Sequence, residues 1–415
     1  MKKICFLAIL SLIMFSCQHE KTSLTSSITG TKNITLEKIW DGTFATDRMN
    51  ALNSMQGDYY ALLNSDEVTK STSVDKYSYK TLEKVATVVS SRNLEGIDRF
   101  SSYEFNNDES MLLLGTDFNK VYRRSFTGTY YVYSIATKKL VLIGENIQEP
   151  TFSPDSKKVA FAKGNNIFIK NLTGNKLTQV TKDGVVNAVI NGTTDWVYEE
   201  EFGFVRAFQW SKESDYLAYL RFDEKQVPEF SMNVTGNDLY PSKLEFKYPK
   251  AGEVNAMVTL HMYNVGKNTT KKIDLGSYEY IPRMQWTANE NTLSVTTLNR
   301  HQNDLKLYFV NAQNGVSDII LNETDSAYVD IQDNLTFLKD NSFIWTSEKD
   351  GFNHIYHYTA KGELLNQLTK GNWEVTNYYG LNTDTNRIYY QSAENGSINR
   401  GIYAIDLDGN NKTIL

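Results

Sequence analysis

The feature that most constrains the fold of this chain is a short pattern that recurs along most of its length. Each copy has an aromatic residue or Leu, a polar turn with Asp or Asn, and a short apolar strand, and Phe152–Phe161 is the clearest copy. The weaker copies begin at Leu52, Phe105, Trp210, Trp286, Phe337 and Leu381. Successive copies start between 44 residues apart (337 to 381) and 76 residues apart (210 to 286). Strand-rich periods of about 40–50 residues are typical of β-propeller blades.

The period has a physical reason. One small sheet cannot bury both of its faces, whereas sheets that pack around a common axis bury them and leave only short edges exposed. Seven copies therefore predict an all-β chain with seven or eight blades. A series of β-sandwich strands is the alternative, but its strands lack so long a period. We find no long stretch of helical apolar periodicity past the N-terminal segment.

Composition excludes several classes of protein. The 415 residues are 40% hydrophobic and 13% aromatic, which rules out intrinsic disorder. A net charge of −6 without a run of Lys or Arg argues against nucleic acid as the main partner. Five His and two Cys leave little material for a zinc or thiolate site, so we expect no metal and no cofactor.

The N-terminus has the pattern of an export signal. Lys2 and Lys3 precede an apolar run, Ile4–Phe15, that is shorter than the roughly 20 residues of a membrane-spanning helix. Ser16 and Cys17 follow, as in a bacterial lipobox, so we predict a lipoprotein signal peptide at 1–16, lipidation of Cys17 and a tether at 17–35. This predicts a lipid-anchored protein of the bacterial cell envelope, on the periplasmic or outer-membrane face. An ordinary cleaved signal with an incidental Cys is the alternative.

Two intervals between copies exceed a bare blade, and both contain insertions, 185–206 and 231–254. The first holds the sequence DWVYEEEF, Asp195–Phe202, in which three carboxylates lie beside aromatic residues. A primary ammonium suits such a place because its three N–H donors match several carboxylate oxygens. A solvated acidic helix turn is the alternative. Consecutive helical residues point about 100° apart, so neighbouring Glu residues converge on one ligand only at a helix end or a distorted turn.

Several blocks together resemble one known family. They are DWVYEEEF, Trp210-Ser211, Leu217–Tyr219, Val227-Pro228 and YPKAGEVN at Tyr248–Asn255. In this order and spacing they resemble the propeller of the dipeptidyl peptidase IV family, within the prolyl oligopeptidase group of serine peptidases. The resemblance runs from roughly Leu36 to the C-terminus and implies an N-terminal-type propeller at 36–415 with a short helical insertion.

The resemblance also implies binding residues. The family holds the free amine of its substrate on two Glu residues, which match Glu200 and Glu201 of this chain. A family Arg that contacts the peptide carbonyl matches Arg123, although the neighbouring Arg124 leaves the assignment open by one residue. An exposed strand cation is the structural alternative for Arg123.

Catalytic residues are not expected within this sequence. It contains no G-x-S-x-G nucleophile elbow. The resemblance places the catalytic Ser, Asp and His in a hydrolase domain beyond Leu415, so we interpret the chain as a C-terminally truncated propeller that lacks this domain. Whether the chain itself is an enzyme is therefore left open.

The expected function is a substrate-gating propeller of an exopeptidase that releases N-terminal dipeptides, inactive without its catalytic domain. The resemblance implies peptide substrates with a free N-terminus and cleavage after Pro or Ala. A prolyl tripeptidyl peptidase propeller and a non-enzymatic propeller that binds peptides or proteins are the alternatives. The insertion at 231–254 resembles an arm that pairs two propellers into a homodimer, whereas a loop packed on its own blade is the simpler interpretation. The predicted arm carries Leu239, Tyr240, Leu244 and Phe246.

Overall fold

The structure, a computed structural model, describes residues 33–46 and 51–415, which divide into two units between Ala51 and Leu52. The described part of the first unit contains helix α1 (Leu36–Trp40), where the Thr35 hydroxyl accepts a hydrogen bond from the Lys38 amide. The signal peptide and Cys17 lie outside the described residues, so signal cleavage and lipidation stay predictions. No helix in the described part of the chain is long and apolar enough to cross a membrane.

The second unit is a succession of antiparallel sheets. The first sheet contains β1 (Asn53–Met55), β2 (Tyr59–Asp66), β3 (Ser71–Ser78) and β4 (Lys84–Ser90). A 3-10 turn at Ser91–Asn93 leads to a seven-stranded sheet of β5 (Ser102–Phe105), β6 (Met111–Lys120), β7 (Phe126–Ser134), β8 (Leu140–Phe152), β9 (Lys158–Lys163), β10 (Asn166–Asn171) and β11 (Leu177–Gln179). Strand β8 pairs with β7 through residues 140–147 and with β9 through residues 148–152, so this sheet makes two blades.

The next sheet carries both insertions. Its strands are β12 (Val189–Asn191), β13 (Phe208–Trp210), β14 (Tyr216–Asp223), β17 (Met257–Asn264) and β18 (Thr269–Lys272). Helix α2 (Trp196–Glu201) lies between β12 and β13, and a separate hairpin of β15 (Glu229–Val234) and β16 (Ser242–Lys247) lies between β14 and β17. The predicted short helical insertion is therefore present.

Three further four-stranded sheets complete the described chain. Their strands are β19 (Tyr280–Trp286), β20 (Thr292–Leu298), β21 (Asp304–Asn311), β22 (Ser317–Thr324), β23 (Thr336–Phe337), β24 (Phe343–Ser347), β25 (His354–Tyr358), β26 (Leu364–Gln367), β27 (Val375–Asn382), β28 (Arg387–Ser392), β29 (Gly401–Asp406) and β30 (Thr413–Ile414). Residues 52–415 thus form seven blades of a β-propeller, within the predicted range, and the prediction of an all-β fold is confirmed.

The recurring sequence pattern marks the same place in nearly every blade. Five of its start positions are the last residue of a strand that precedes a tight turn: Phe105, Phe152, Trp210, Trp286 and Phe337. Leu381 lies one residue before the end of β27. The assignment of Leu52 was wrong by three residues, because Met55 is the residue that ends β1 and packs into the core of its blade.

Neighbouring blades pack through the ends of these strands. The Trp210 indole donates to the carbonyl of Thr151 in the preceding blade at 3.3 Å, and the Trp286 indole donates to Gln209 at the same distance. Strands β24 and β25 are buried at every residue. Burial of consecutive residues requires a cover on both faces of the sheet, which the adjoining blades supply.

Candidate functional site

Helix α2 is short because both of its ends are fixed. Asp195 caps its N-terminus, where the carboxylate accepts a hydrogen bond of 3.0 Å from the Tyr198 amide. Gly203, with φ of +75°, follows the C-terminus in the left-handed conformation that glycine adopts most readily. The Tyr198 hydroxyl is buried and accepts a hydrogen bond of 2.8 Å from the Ile281 amide of β19. The helix is therefore tied to the blade that follows its own.

The three consecutive Glu residues of α2 have three different environments. Glu199 is 1% exposed, the side chain of Glu200 is 17% exposed, and Glu201 is exposed. This divergence follows from the rotation of about 100° between successive helical residues. The carboxylates do not all meet at one point, so the triplet is not a single anionic cluster.

Glu199 faces the turn between β6 and β7. Its Oε1 accepts hydrogen bonds from the backbone amides of Arg124, at 2.5 Å, and Ser125, at 2.9 Å. The turn is closed internally as well, because the Val121 amide donates to the Ser125 carbonyl at 2.9 Å. A buried carboxylate is tolerated when charge-assisted hydrogen bonds of this kind replace its hydration.

Arg123 lies at the tip of the same turn and pairs with Glu200. Its Nε is 3.0 Å from Oε2 and 3.2 Å from Oε1 of that residue, and its side chain is 72% exposed. Arg124 contacts the helix through its backbone amide. The structure therefore brings Arg123, Glu200 and the helix together, and it is the guanidinium of Arg123 that lies beside the Glu200 carboxylate.

Glu201 borders a cavity of about 300 Å³. The cavity is lined by α2 and by more distant segments, including Val197, Phe202, Tyr280, Arg283, Tyr328 and Asp330. Burial, with the negative charges of Asp330 and Glu201, raises the pKa of Tyr328. Arg283 donates from Nη1 to the Phe202 carbonyl at 2.9 Å, at the C-terminal end of the helix where a cation is favourable. Sequence reasoning missed Tyr328 and Arg283, since no local motif marks them.

A buried acidic cluster lies close to α2. Asp195 and Glu224 are each 5% exposed. Burial raises the pKa of Asp195 to about 6, and burial with the nearby charge of Asp195 raises the pKa of Glu224 to about 7, against the opposing effect of Lys247. Burial and these carboxylates also raise the pKa of Tyr122, next to Arg123, to about 12. The carboxylates in and beside the helix therefore act electrostatically on the turn that carries Arg123.

The fold and the site define a β-propeller in which helix α2 carries Glu200, paired with Arg123, and Glu201, which borders a cavity. Residues 106–415 match the family described as the dipeptidyl peptidase IV (DPP IV) N-terminal region. The chain therefore belongs to the dipeptidyl peptidase IV family, as the resemblance in its sequence indicated.

Individual relatives agree with this assignment. A probable dipeptidyl-aminopeptidase B of Fusarium vanettenii is 32% identical over 340 residues, which cover 73% of this chain and 37% of the relative. Dipeptidyl aminopeptidase B of Saccharomyces cerevisiae is 30% identical over 379 residues, 86% of this chain and 46% of the relative. The chain thus spans less than half the length of these two relatives.

A solved structure supports the fold. The crystal structure of Porphyromonas gingivalis dipeptidyl peptidase 4 superposes with a TM-score of 0.87 at 39% identity, and covers 93% of this chain and 56% of that one.

Proposed function

We propose that this chain is the substrate-gating propeller of a dipeptidyl peptidase IV-like serine exopeptidase, in which Glu200 and Glu201 bind the free amine of a peptide. The observation that supports this proposal is the arrangement on α2. One carboxylate is paired with Arg123, while the next is exposed at a cavity. Family membership makes a peptide the first substrate class to test.

The charges of this arrangement suit one ammonium group. Glu200, Glu201 and Arg123 together carry a net charge of −1 at neutral pH. Two unit charges 4 Å apart attract by about 4 kcal/mol at an effective dielectric constant of 20. Desolvation of the ions removes part of this attraction, so the net gain is a few kcal/mol at most.

Arg123 supplies the second contact of the proposal. Its ion pair with Glu200 uses Nε, so the terminal amino groups of the guanidinium lie outside this contact. In the proposal they donate to a carbonyl oxygen of the bound peptide. When the amine and one carbonyl of the peptide are held, the number of residues between the site and the cleaved bond is fixed. The enzyme then cuts at a set distance from the N-terminus, which is positional specificity through proximity. Release of dipeptides after Pro or Ala is part of the proposal, and the cleavage chemistry belongs to the catalytic domain of the complete enzyme.

The experiment uses an enzyme restored by fusion of a family hydrolase domain to this chain. We expect Glu200→Gln or Glu201→Gln to lower kcat/KM for free-amine dipeptide substrates by about tenfold or more, because each removes a charge that faces the ammonium. N-acetylated substrates should be poor for the parent enzyme and lose little further in these variants. Arg123→Ala should weaken both substrate types, since both keep the carbonyl. Equal losses on free and acetylated substrates in the Glu variants would mean a structural role.

We also propose that the β15–β16 hairpin pairs two copies of the chain. At its tip, Leu239 and Tyr240 are 89% and 79% exposed. Phe246 differs from the other predicted arm residues, because it is half-buried and its ring lies 6.1 Å from that of Tyr122. Apolar side chains at an exposed tip suit a two-fold contact between copies.

Light scattering tests this pairing. We expect the double substitution Leu239→Ser and Tyr240→Ser to lower the molar mass in solution from that of a dimer to that of a monomer. Leu177→Ser, at an exposed apolar residue of β11, is the matched control and should leave the mass unchanged. A dimer that survives the double substitution contradicts the proposal.

A further inference from the structure

We infer that Glu199 is a positioning residue that fixes the location of Arg123 and thereby its contact with the bound peptide. This inference rests on the proposed function, because it assigns the means by which one residue of that site is held. Glu199 does not face the proposed ligand. It is buried, and its carboxylate contacts the backbone of the turn that carries Arg123.

The turn has few other means of holding its tip. Ser125 is 3% exposed and its hydroxyl accepts a hydrogen bond from the Tyr122 amide at 3.1 Å, so the base of the turn is packed and closed. Arg123 and Arg124 are exposed. The two amides that follow Arg123 both donate to one oxygen of Glu199. Such bonds to an ionised acceptor are stronger than neutral ones, and here they join the turn to a helix 75 residues further along the chain.

The contacts of the Arg123 side chain itself restrain it only weakly. Its ion pair with Glu200 joins an Arg side chain that is 72% exposed to a Glu side chain that is 17% exposed, so solvent screens the pair from the arginine side and ordering the long Arg side chain costs entropy. The backbone that Glu199 holds therefore sets the point at which the Arg123 side chain leaves the turn, and with it the region that the guanidinium can reach. The same helix carries Glu199 and Glu200, so one rigid element determines both ends of the Arg123–Glu200 pair.

Tyr122 makes a separate contact that restrains the turn. Its ring packs near Phe246 of the hairpin at 6.1 Å between centroids. This contact restrains Tyr122 but does not involve the amides of Arg124 and Ser125. Loss of Glu199 alone should therefore loosen the tip of the turn while its base stays packed.

The experiment measures peptide binding by the full chain in a double-mutant cycle. The probes are the tripeptide Ala-Pro-Ala and its N-acetylated form, titrated by nuclear magnetic resonance, and hydrogen exchange of residues 121–125 is followed by mass spectrometry. The variants are Glu199→Ala, Glu199→Gln, Arg123→Ala and the combination of Glu199→Ala with Arg123→Ala. Glu199→Gln keeps an oxygen that accepts both amide hydrogens, so it is the conservative control. Circular dichroism confirms that each variant is folded.

We expect Glu199→Ala to accelerate exchange at residues 121–125 and to weaken binding of both peptides by about tenfold, the loss of roughly one charge-assisted hydrogen bond. Glu199→Gln should recover most of this loss. In the Arg123→Ala background, Glu199→Ala should cost less than twofold, because a residue that acts through Arg123 has no effect once Arg123 is removed.

Two results overturn the inference: unchanged exchange and binding in Glu199→Ala, or an equal loss of binding with and without Arg123. The proposed amine site fails separately. If wild-type protein binds the free and acetylated tripeptides equally, the amine anchor is wrong. The double-mutant cycle measured with the acetylated peptide still tests Glu199 in that case, because this peptide keeps the carbonyl that Arg123 would contact. If wild-type protein binds neither peptide, both assignments are wrong.

Discussion

At the scale of single residues, the Glu triplet shows how little of a residue's role lies in its chemical type. Glu199 is buried against backbone amides, Glu200 is paired with Arg123, and Glu201 borders a cavity. The difference arises from the rotation of the helix and from what lies on each side of it. Tyr198, the residue before the triplet, fixes that rotation, because its hydroxyl accepts a hydrogen bond from the Ile281 amide of the next blade.

Substitution of Tyr198 by Phe should therefore destabilise the protein. The change leaves the Ile281 amide buried without an acceptor, which costs about 1–3 kcal/mol of the free energy of unfolding. Urea denaturation measures this cost. Tyr240→Phe removes a hydroxyl that is exposed at the hairpin tip and should leave the midpoint unchanged. Equal midpoints for Tyr198→Phe and the wild type would show that the hydrogen bond does not fix the helix.

At the scale of the element, helix α2 lies beside two buried acids, Asp195 and Glu224, whose pKa values are higher in the folded chain than in the unfolded one. Burial raises the pKa values of Asp195 and Glu224 to about 6 and about 7, whereas in an unfolded chain both lie near 4. The folded state thus retains protons that the unfolded state has released. The contribution of these groups to stability is fully present below about pH 4 and is lost as pH rises through 6 to 7. His261 acts in the opposite direction, because burial lowers its pKa to about 4.

A comparison of variants isolates this effect from His261. Relative to the wild type, Glu224→Gln should gain stability as pH rises from 5 to 8, by up to about 3 kcal/mol, because the buried amide never ionises. Guanidinium denaturation at a series of pH values measures this difference. Glu213→Gln, at an exposed carboxylate, is the control and should show no such trend. A difference that is constant with pH would mean that Glu224 is ionised throughout or protonated throughout this range.

At the scale of the whole molecule, neighbouring blades lie so close together at some points that only glycine fits between them. Gly362 lies in the turn between β25 and β26, with φ of +80°. A Cβ atom at this position would lie 1.8 Å from the carbonyl oxygen of Ile320, in β22 of the preceding blade. The position therefore excludes any side chain for two reasons, its backbone conformation and the neighbouring blade.

Paired substitutions separate the two reasons. Gly362→Ala should lower the free energy of unfolding by about 3 kcal/mol or more, since strain at positive φ adds to the displacement of a neighbouring strand. Gly96→Ala has nearly the same φ, +82°, and nothing within 4 Å of the added Cβ, so it should cost only about 1–2 kcal/mol. Thermal denaturation gives both values. Equal costs for the two variants would show that the blades separate easily at this contact.

The sequence was sufficient for those features that are encoded locally. Strand-ending aromatic residues such as Trp210 and Trp286 revealed the blades because each is followed at once by a polar turn. Leu52 was assigned in place of Met55 because both are apolar and lie close to the turn at Gly57. The presence of Tyr328 in the cavity wall could not be predicted, because Tyr328 is more than a hundred residues from Glu201 in the sequence and only the folded propeller places both at one cavity. The contact of Glu199 with the turn could not be predicted either, because in the sequence Glu199 is identical to its two neighbours.

The contact between Glu199 and Ser125 also has a mechanical consequence. It joins two points of the chain between which the whole of β7 to β12 lies. Pulling these two points apart therefore requires the rupture of this hydrogen bond in addition to the strand pairings that hold β7 and β12. The same separation parts Arg123 from Glu200, because these residues lie in the same turn and the same helix as Ser125 and Glu199.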